Sequence, residues 1–254
     1  MLILTRIIPY AQSASVFLWL YLTAVLPKIW YVFTALLLVI TAIFLLKLFK
    51  WQYQNKEFLL FSLCLFLFIG SANAFLFFLE GELARFVLIL FTALLSGFYC
   101  YNIFLYLYNQ KSYIPYSLQN TSAYLNVVSF FLLMASFYSL ELFFSLPFYL
   151  VILLVFLLTF ILLAQTIWVN KISLKKEIFF LVIVGLIMAE LFWAIHYLPT
   201  SFYVNALISA IAYYLVINIS LNYLSGKKDA KSIKRTLFIG LIMLILVLAT
   251  AQWT

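Results

Sequence analysis

The sequence predicts an all-α polytopic membrane protein, a single transmembrane domain of nine helices over residues 1–254. Of the 254 residues, 68% are hydrophobic and 9% are charged, whereas soluble domains average about half apolar and a quarter charged. The mean hydropathy is +1.19. Apolar runs of roughly 20 residues, the length that crosses a bilayer, fill nearly the whole chain. They leave no segment of even about 50 residues for a soluble domain.

The first four spans are predicted at residues 9–26, 29–48, 58–79 and 86–108. Pro9 falls in the first turn of the first span, where its missing N–H costs little. Pro27 turns the chain into the second span, and the polar segment 50–57 separates the second span from the third. A short acidic turn at residues 80–82 precedes the fourth.

The last five spans are predicted at residues 121–145, 147–168, 178–198, 201–224 and 236–253. Thr200 is the predicted N-cap of the eighth span, because a threonine there precedes a new apolar run. Residues 226–235 form the most basic stretch of the chain. Cys64 and Cys100 fall inside spans with apolar or aromatic neighbours, so we interpret them as small packing residues.

The positive charges fall in short loops and predict the orientation of the chain. With the N-terminus in the cytoplasm, thirteen Lys and Arg residues lie inside, and only Lys28 and Arg85 lie outside. This asymmetry is what the positive-inside rule expects. We therefore expect a multi-pass protein of the cell membrane with an extracytoplasmic C-terminus and no nucleic-acid partner. The inside residues are Arg6, Lys47, Lys50, Lys56, Lys111, Lys171, Lys175, Lys176, Lys227, Lys228, Lys231, Lys234 and Arg235.

A faint internal repeat predicts a duplication of four plus four helices with one added. The Leu-Pro turn at Pro27 recurs at Pro147, and the Lys-Glu pair at Lys56 recurs at Lys176, both 120 residues on. Two copies of a four-helix unit would be parallel. Such turns and small residues are common in membrane chains, which leaves chance as the alternative. The predicted units are residues 1–120 and 121–235, with an extra helix at 236–254. Matching small-residue pairs are Gly70/Ala74 with Gly185/Ala189, and Ala93/Gly97 with Ala206/Ala210.

Glu190 is the first candidate for function. It lies 12 residues after Ile178, about 18 Å into a hydrocarbon layer of about 30 Å. An acid at that depth is costly unless it is paired, protonated or hydrated, so it marks a candidate site. The functional interpretation is a proton or cation site, or the partner of a substrate amine. The structural alternative is a protonated acid that is hydrogen-bonded to a neighbouring helix.

Other candidates surround this acid along the predicted pathway. Trp193 shares the helix face of Glu190, whereas His196 lies about 240° further round at 100° per residue. Glu141 sits near the outer end of the fifth span, where the scarcity of bases makes the surface acidic and attractive to cations. Asn73 is a polar residue at membrane depth, expected to form an interhelical hydrogen bond. Ordinary packing and solvated loops are the alternatives for this group.

The basic segment predicts contact with anionic headgroups of the inner leaflet. Each cation near that surface contributes about 1 kcal/mol to membrane binding. The residues concerned are Lys227, Lys228, Lys231, Lys234 and Arg235.

Missing motifs limit the function classes. One histidine and two isolated cysteines exclude an ordinary zinc site, and no nucleotide-binding glycine loop or HExxH motif occurs. We expect no cofactor, no metal and no enzymatic activity. Two classes remain: a secondary carrier or channel that uses Glu190, or a non-transporting scaffold, sensor or subunit of a larger membrane complex. The partners expected are the bilayer and another membrane protein.

Overall fold

A computed structural model describes residues 2–52, 56–144, 146–172, 174–224 and 230–253. Within these ranges the chain forms nine α-helices, is 87% helical and contains no strand. All nine helices are long and apolar enough to cross a membrane, which confirms the predicted all-α fold and agrees with the predicted number of spans. The helices are α1 (Leu2–Val25), α2 (Trp30–Leu48), α3 (Lys56–Leu76), α4 (Glu82–Tyr108), α5 (Ser117–Phe144), α6 (Phe148–Val169), α7 (Leu174–His196), α8 (Phe202–Leu224) and α9 (Ala230–Thr250).

Two local predictions were wrong. Pro9 lies inside α1 and not in its first turn, because the apolar residues before it are helical as well. Membrane helices tolerate such a proline where neighbouring groups compensate the lost backbone hydrogen bond. The cap of α8 is Ser201, whose Oγ accepts a hydrogen bond from Val204 N at 3.5 Å. Thr200 instead donates to the Asn205 side chain at 2.6 Å.

The chain divides into two compact units, Met1–Asn126 and Val127–Thr254, so that α5 begins in the first and ends in the second. In unit 1 the most extensive helix pairing is between α1 and α4. Gly97 permits it, because a Cβ at that position would lie 2.8 Å from Ser13 Cβ and 3.2 Å from Pro9 O. The small residue therefore allows the two backbones to approach closely.

Buried polar side chains bridge the helices of unit 1. Gln12 Nε2 of α1 donates to Thr41 Oγ1 of α2 at 3.0 Å. Tyr99 of α4, fully buried, places its hydroxyl 3.2 Å from Ser122 Oγ of α5. Cys64 and Cys100 are buried free thiols, as their apolar surroundings predicted.

Unit 2 is held by close helix approach and by stacked aromatic rings. Gly185 of α7 faces Phe156 of α6, whose ring would lie 3.0 Å from an added Cβ. Tyr138 of α5 stacks on Phe192 of α7, with ring centroids 4.3 Å apart. Stacked buried rings of this kind contribute about 0.5–1.5 kcal/mol beyond their area. This core fixes the ends of α5 and α7, which bear the charged residues described below.

Helices α2 and α6 end in the same capping motif. In both, a lysine adopts a left-handed conformation after the cap, Lys50 with φ 50° and Lys171 with φ 61°. The N–H group that follows each lysine then bonds a carbonyl five residues back, which is the Schellman arrangement. The bonds are Trp51 N to Leu46 O at 2.8 Å and Ile172 N to Ile167 O at 3.2 Å.

Candidate functional site

Helix α7 presents Glu190 on an exposed face. We call this surface the Glu190 face; it consists of Ile183, Leu186, Ile187, Glu190, Trp193 and Tyr197, all exposed. Their spacing of three and four residues places them on one side of a helix. The opposite side of α7 is buried, with Val184, Met188 and Phe192 among its members. The side chain of Glu190 therefore points away from the helices that α7 packs against.

Glu190 forms no hydrogen bond or ion pair with any residue in the described part of the chain. It lies 13 residues after Glu177, the start of the candidate span, and 6 before His196, its end. At 1.5 Å per residue this is about 20 Å from one end and about 9 Å from the other. A charged side chain near the centre of such a span costs about 2.5–3.5 kcal/mol to insert.

The aromatic residues beside Glu190 are exposed as well. Trp193 is 51% exposed, and its Nε1 donates to Tyr197 Oη at 3.1 Å. The prediction that Trp193 shares a face with Glu190 agrees with this position. The face is thus a carboxylate flanked by an aromatic pair and aliphatic side chains.

A second polar region lies in unit 2, where α5 and α7 end and α8 begins. A cavity of about 450 Å³ opens there, which we call the Glu141 cavity. It falls within the range of about 300–1,000 Å³ that is typical of small-molecule sites. Its lining residues are Tyr138, Glu141, Leu142, His196, Leu198, Thr200, Ser201, Phe202 and Asn205.

Two titratable side chains of the cavity wall, Glu141 and His196, lie next to each other. His196 Nδ1 lies 3.1 Å from Glu141 Oε2, with side-chain exposures of 35% and 17%. The two groups face each other without hydrogen-bond geometry, and the buried Oε2 accepts no hydrogen bond from any described group. The carboxylate therefore keeps unused acceptor capacity, which is costly for a buried oxygen.

Hydrogen bonds fix the polar wall of the cavity. The Tyr138 hydroxyl donates to the carbonyl of Phe192 at 3.3 Å and lies 3.2 Å from Ser209 Oγ. On the other side, Thr200 Oγ1 donates to Asn205 Oδ1 at 2.6 Å. This bond occupies the amide oxygen of Asn205 and leaves its Nδ2 group as a donor.

The structure places the remaining predicted residues elsewhere. Asn73 of unit 1 is buried and donates from Nδ2 to Thr34 Oγ1 at 2.7 Å, the interhelical bond that its depth predicted. Lys231, Lys234 and Arg235 are exposed at the start of α9. Lys227 and Lys228 lie outside the described residues.

The Glu141 cavity was not predicted from the sequence. The sequence placed Glu141 near the outer end of the fifth span and gave no reason to pair it with His196. Tyr138, one turn before Glu141, and Thr200, five residues before Asn205, were missed as parts of a polar wall. The available signal was the set of polar residues near the ends of the fifth and seventh spans and the start of the eighth.

Comparison with known proteins gives a family and no function. The model of the family described as "Protein of unknown function (DUF5656)" matches residues 71–251. No curated protein and no solved structure matches the chain. The matched range is more than half of the 254 residues and includes both the Glu190 face and the Glu141 cavity. The chain therefore belongs to the DUF5656 family of membrane-type helical proteins of unknown function.

Proposed function

We propose that this protein is a non-transporting, non-enzymatic component of a larger membrane complex, and that it binds its partner through the Glu190 face. One observation carries the proposal: Glu190 is exposed at membrane depth and has no partner among the described residues. Lipid tails offer no hydrogen bonds to a carboxylate, so a second protein chain is the source that can supply them.

The partner that fits is a transmembrane helix of another protein with a Lys or Arg at the depth of Glu190. Acids inside membranes typically pair with an opposite charge in this way. A second copy of this chain fits less well, because its cations lie towards span ends. Arg85, four residues into α4, already donates from Nε to Leu79 O.

The carrier interpretation needs a cavity that reaches Glu190. The Glu141 cavity is lined by other residues, and so is a cavity of about 680 Å³ in unit 1 between α1 and α4. An exposed acid on an apolar and aromatic face supports the complex-subunit interpretation over the carrier.

Site-specific photocrosslinking tests this proposal. A photoreactive amino acid replaces Ile187, one turn before Glu190, in native membranes. We expect one protein adduct whose crosslinked peptide is a transmembrane helix with a Lys or Arg at matching depth. The control places the same group at Leu153, which is 51% exposed on α6, and should give no such adduct.

Charge reversal then tests the pair itself. Glu190→Lys should abolish the adduct, and the partner's cation→Glu variant should restore it when the two are combined. Adducts with lipid alone, or with a second copy of this chain, would contradict the proposal.

We also propose the orientation that the charges predict, with the N-terminus in the cytoplasm of the cell and the C-terminus outside. The predicted distribution of thirteen Lys and Arg residues inside and two outside supports this orientation. In this orientation Lys231, Lys234 and Arg235, all exposed, meet anionic inner-leaflet lipids. An impermeant label added outside sealed cells should not reach residues 226–235, and labelling there would overturn the orientation.

The duplication of four plus four helices remains part of this proposal. The capping motifs of α2 and α6 support it, since Lys50 and Lys171 adopt the same left-handed conformation 121 residues apart. The matched glycines pack differently, because Gly185 of α7 faces Phe156 of α6 whereas Gly70 of α3 has nothing within 4 Å of an added Cβ. A structure that superposes α1–α4 on α5–α8 would establish the duplication.

A further inference from the structure

The Glu141 cavity offers hydrogen-bond acceptors and donors to one small ligand. On the acceptor side, Glu141 receives no hydrogen bond to its buried Oε2 from the described chain. On the donor side are Nδ2 of Asn205 and the imidazole of His196. A zwitterion fits both sides, because its cationic group can donate to the carboxylate and its anionic group can accept from the donors.

We propose that this cavity binds an ammonium-bearing zwitterion of the phosphoethanolamine type. The primary ammonium would donate to Glu141, because an ammonium has three N–H donors and the carboxylate has free acceptor capacity. The phosphate would accept from Asn205 and His196.

The position of the cavity suits a molecule at the membrane surface. Glu141 lies three residues before the end of α5, and His196 is the last residue of α7. Three residues correspond to about 4.5 Å of helix, so Glu141 and His196 lie close to the level at which these helices would leave the bilayer. Apolar residues complete the wall, and one of them, Leu142, is 67% exposed. The same chemistry can come from phosphatidylethanolamine in the bilayer or from a free phosphoethanolamine in solution.

Matched lipids test the proposal in the purified full-length chain. Native mass spectrometry compares adducts of palmitoyl-oleoyl phosphatidylethanolamine with those of the corresponding phosphatidylcholine, whose quaternary ammonium cannot donate hydrogen bonds. We expect adducts of the ethanolamine lipid at concentrations at least about tenfold lower. In a second arm, radiolabelled O-phosphoethanolamine is offered to protein in phosphatidylcholine nanodiscs.

Variants connect the binding to this cavity. Glu141→Gln should reduce the lipid preference to less than about twofold, whereas Glu82→Gln in the unit 1 cavity should leave it unchanged. Leu142→Trp fills the cavity from an exposed position without replacing Glu141 or His196, so it tests occupancy if Glu141→Gln fails to fold. Glu190→Leu should not alter the preference, which separates this inference from the proposed partner contact.

Each outcome decides the proposal. Glu141-dependent binding of the ethanolamine lipid alone identifies a lipid source, and Glu141-dependent binding of O-phosphoethanolamine identifies a soluble source; either supports the proposal. Folded wild-type protein that neither prefers the ethanolamine lipid nor binds O-phosphoethanolamine would overturn it. So would a preference that survives Leu142→Trp.

Discussion

Two titratable residues of the same helix have opposite surroundings. Glu190 and His196 are six residues apart on α7, yet Glu190 is exposed without a described partner whereas His196 faces Glu141 at 3.1 Å. Six residues turn a helix by about 240°, so the two side chains leave it in different directions. His196 contributes to the interior of unit 2, whereas Glu190 is available to a partner outside it.

This difference shows that membrane depth and side-chain direction are separate properties. Hydropathy locates Glu190 within a span, and that location makes it costly. The direction of the side chain depends on which face of α7 packs against α6, and Gly185 opposite Phe156 decides that. An acidic side chain at membrane depth can therefore bind another protein chain as well as take part in transport.

Aromatic substitutions should show the largest difference between the two regions. Tyr138 is buried and stacks on Phe192, so Tyr138→Ala should lower the free energy of unfolding by about 3–5 kcal/mol. Trp193→Ala, on the Glu190 face, should change it by less than about 0.5 kcal/mol. Denaturant titration of both variants in the same detergent measures the difference. Equal losses would show that the Glu190 face is packed.

Removal of the contact between Glu141 and His196 should have an intermediate effect. Glu141→Gln should lower the free energy of unfolding by about 1–2 kcal/mol, between the values for exposed and buried pairs, because both side chains are partly exposed. His196→Gln and the double variant complete a cycle, for which we expect a coupling energy of about 1 kcal/mol. Strictly additive losses would contradict the pairing.

Removal of the exposed acid should affect stability less than Tyr138→Ala or Glu141→Gln does, and with the opposite sign. Glu190→Leu removes a polar group from an apolar surface and should raise the melting temperature of the isolated chain by about 2–4 °C, the shift that about 1 kcal/mol produces in a protein of this size. The same variant should lose the Ile187 photoadduct. A lower melting temperature would mean that Glu190 stabilises the chain itself.

The architecture followed from the sequence because long apolar runs have one outcome in a bilayer. The nine helices of the described residues differ from the predicted spans at their ends; α1, for example, begins at Leu2 and includes the mostly apolar residues before Pro9. The pairing of Glu141 with His196 was not predictable, because it depends on which helix ends meet. The depth of Glu190 was evident from its position, whereas its exposure depended on how α6 and α7 pack.

Spin labelling tests the central claim that the Glu190 face lies open to lipid in the isolated chain. A nitroxide replaces Ile187 in a background where Cys64 and Cys100, both buried, are changed to alanine, so Glu190 stays intact. In nanodiscs we expect strong relaxation by oxygen and weak relaxation by a water-soluble nickel chelate. Strong relaxation by the chelate would indicate a water-filled carrier cavity, and protection from both would indicate a packed interior. Either result would contradict the account.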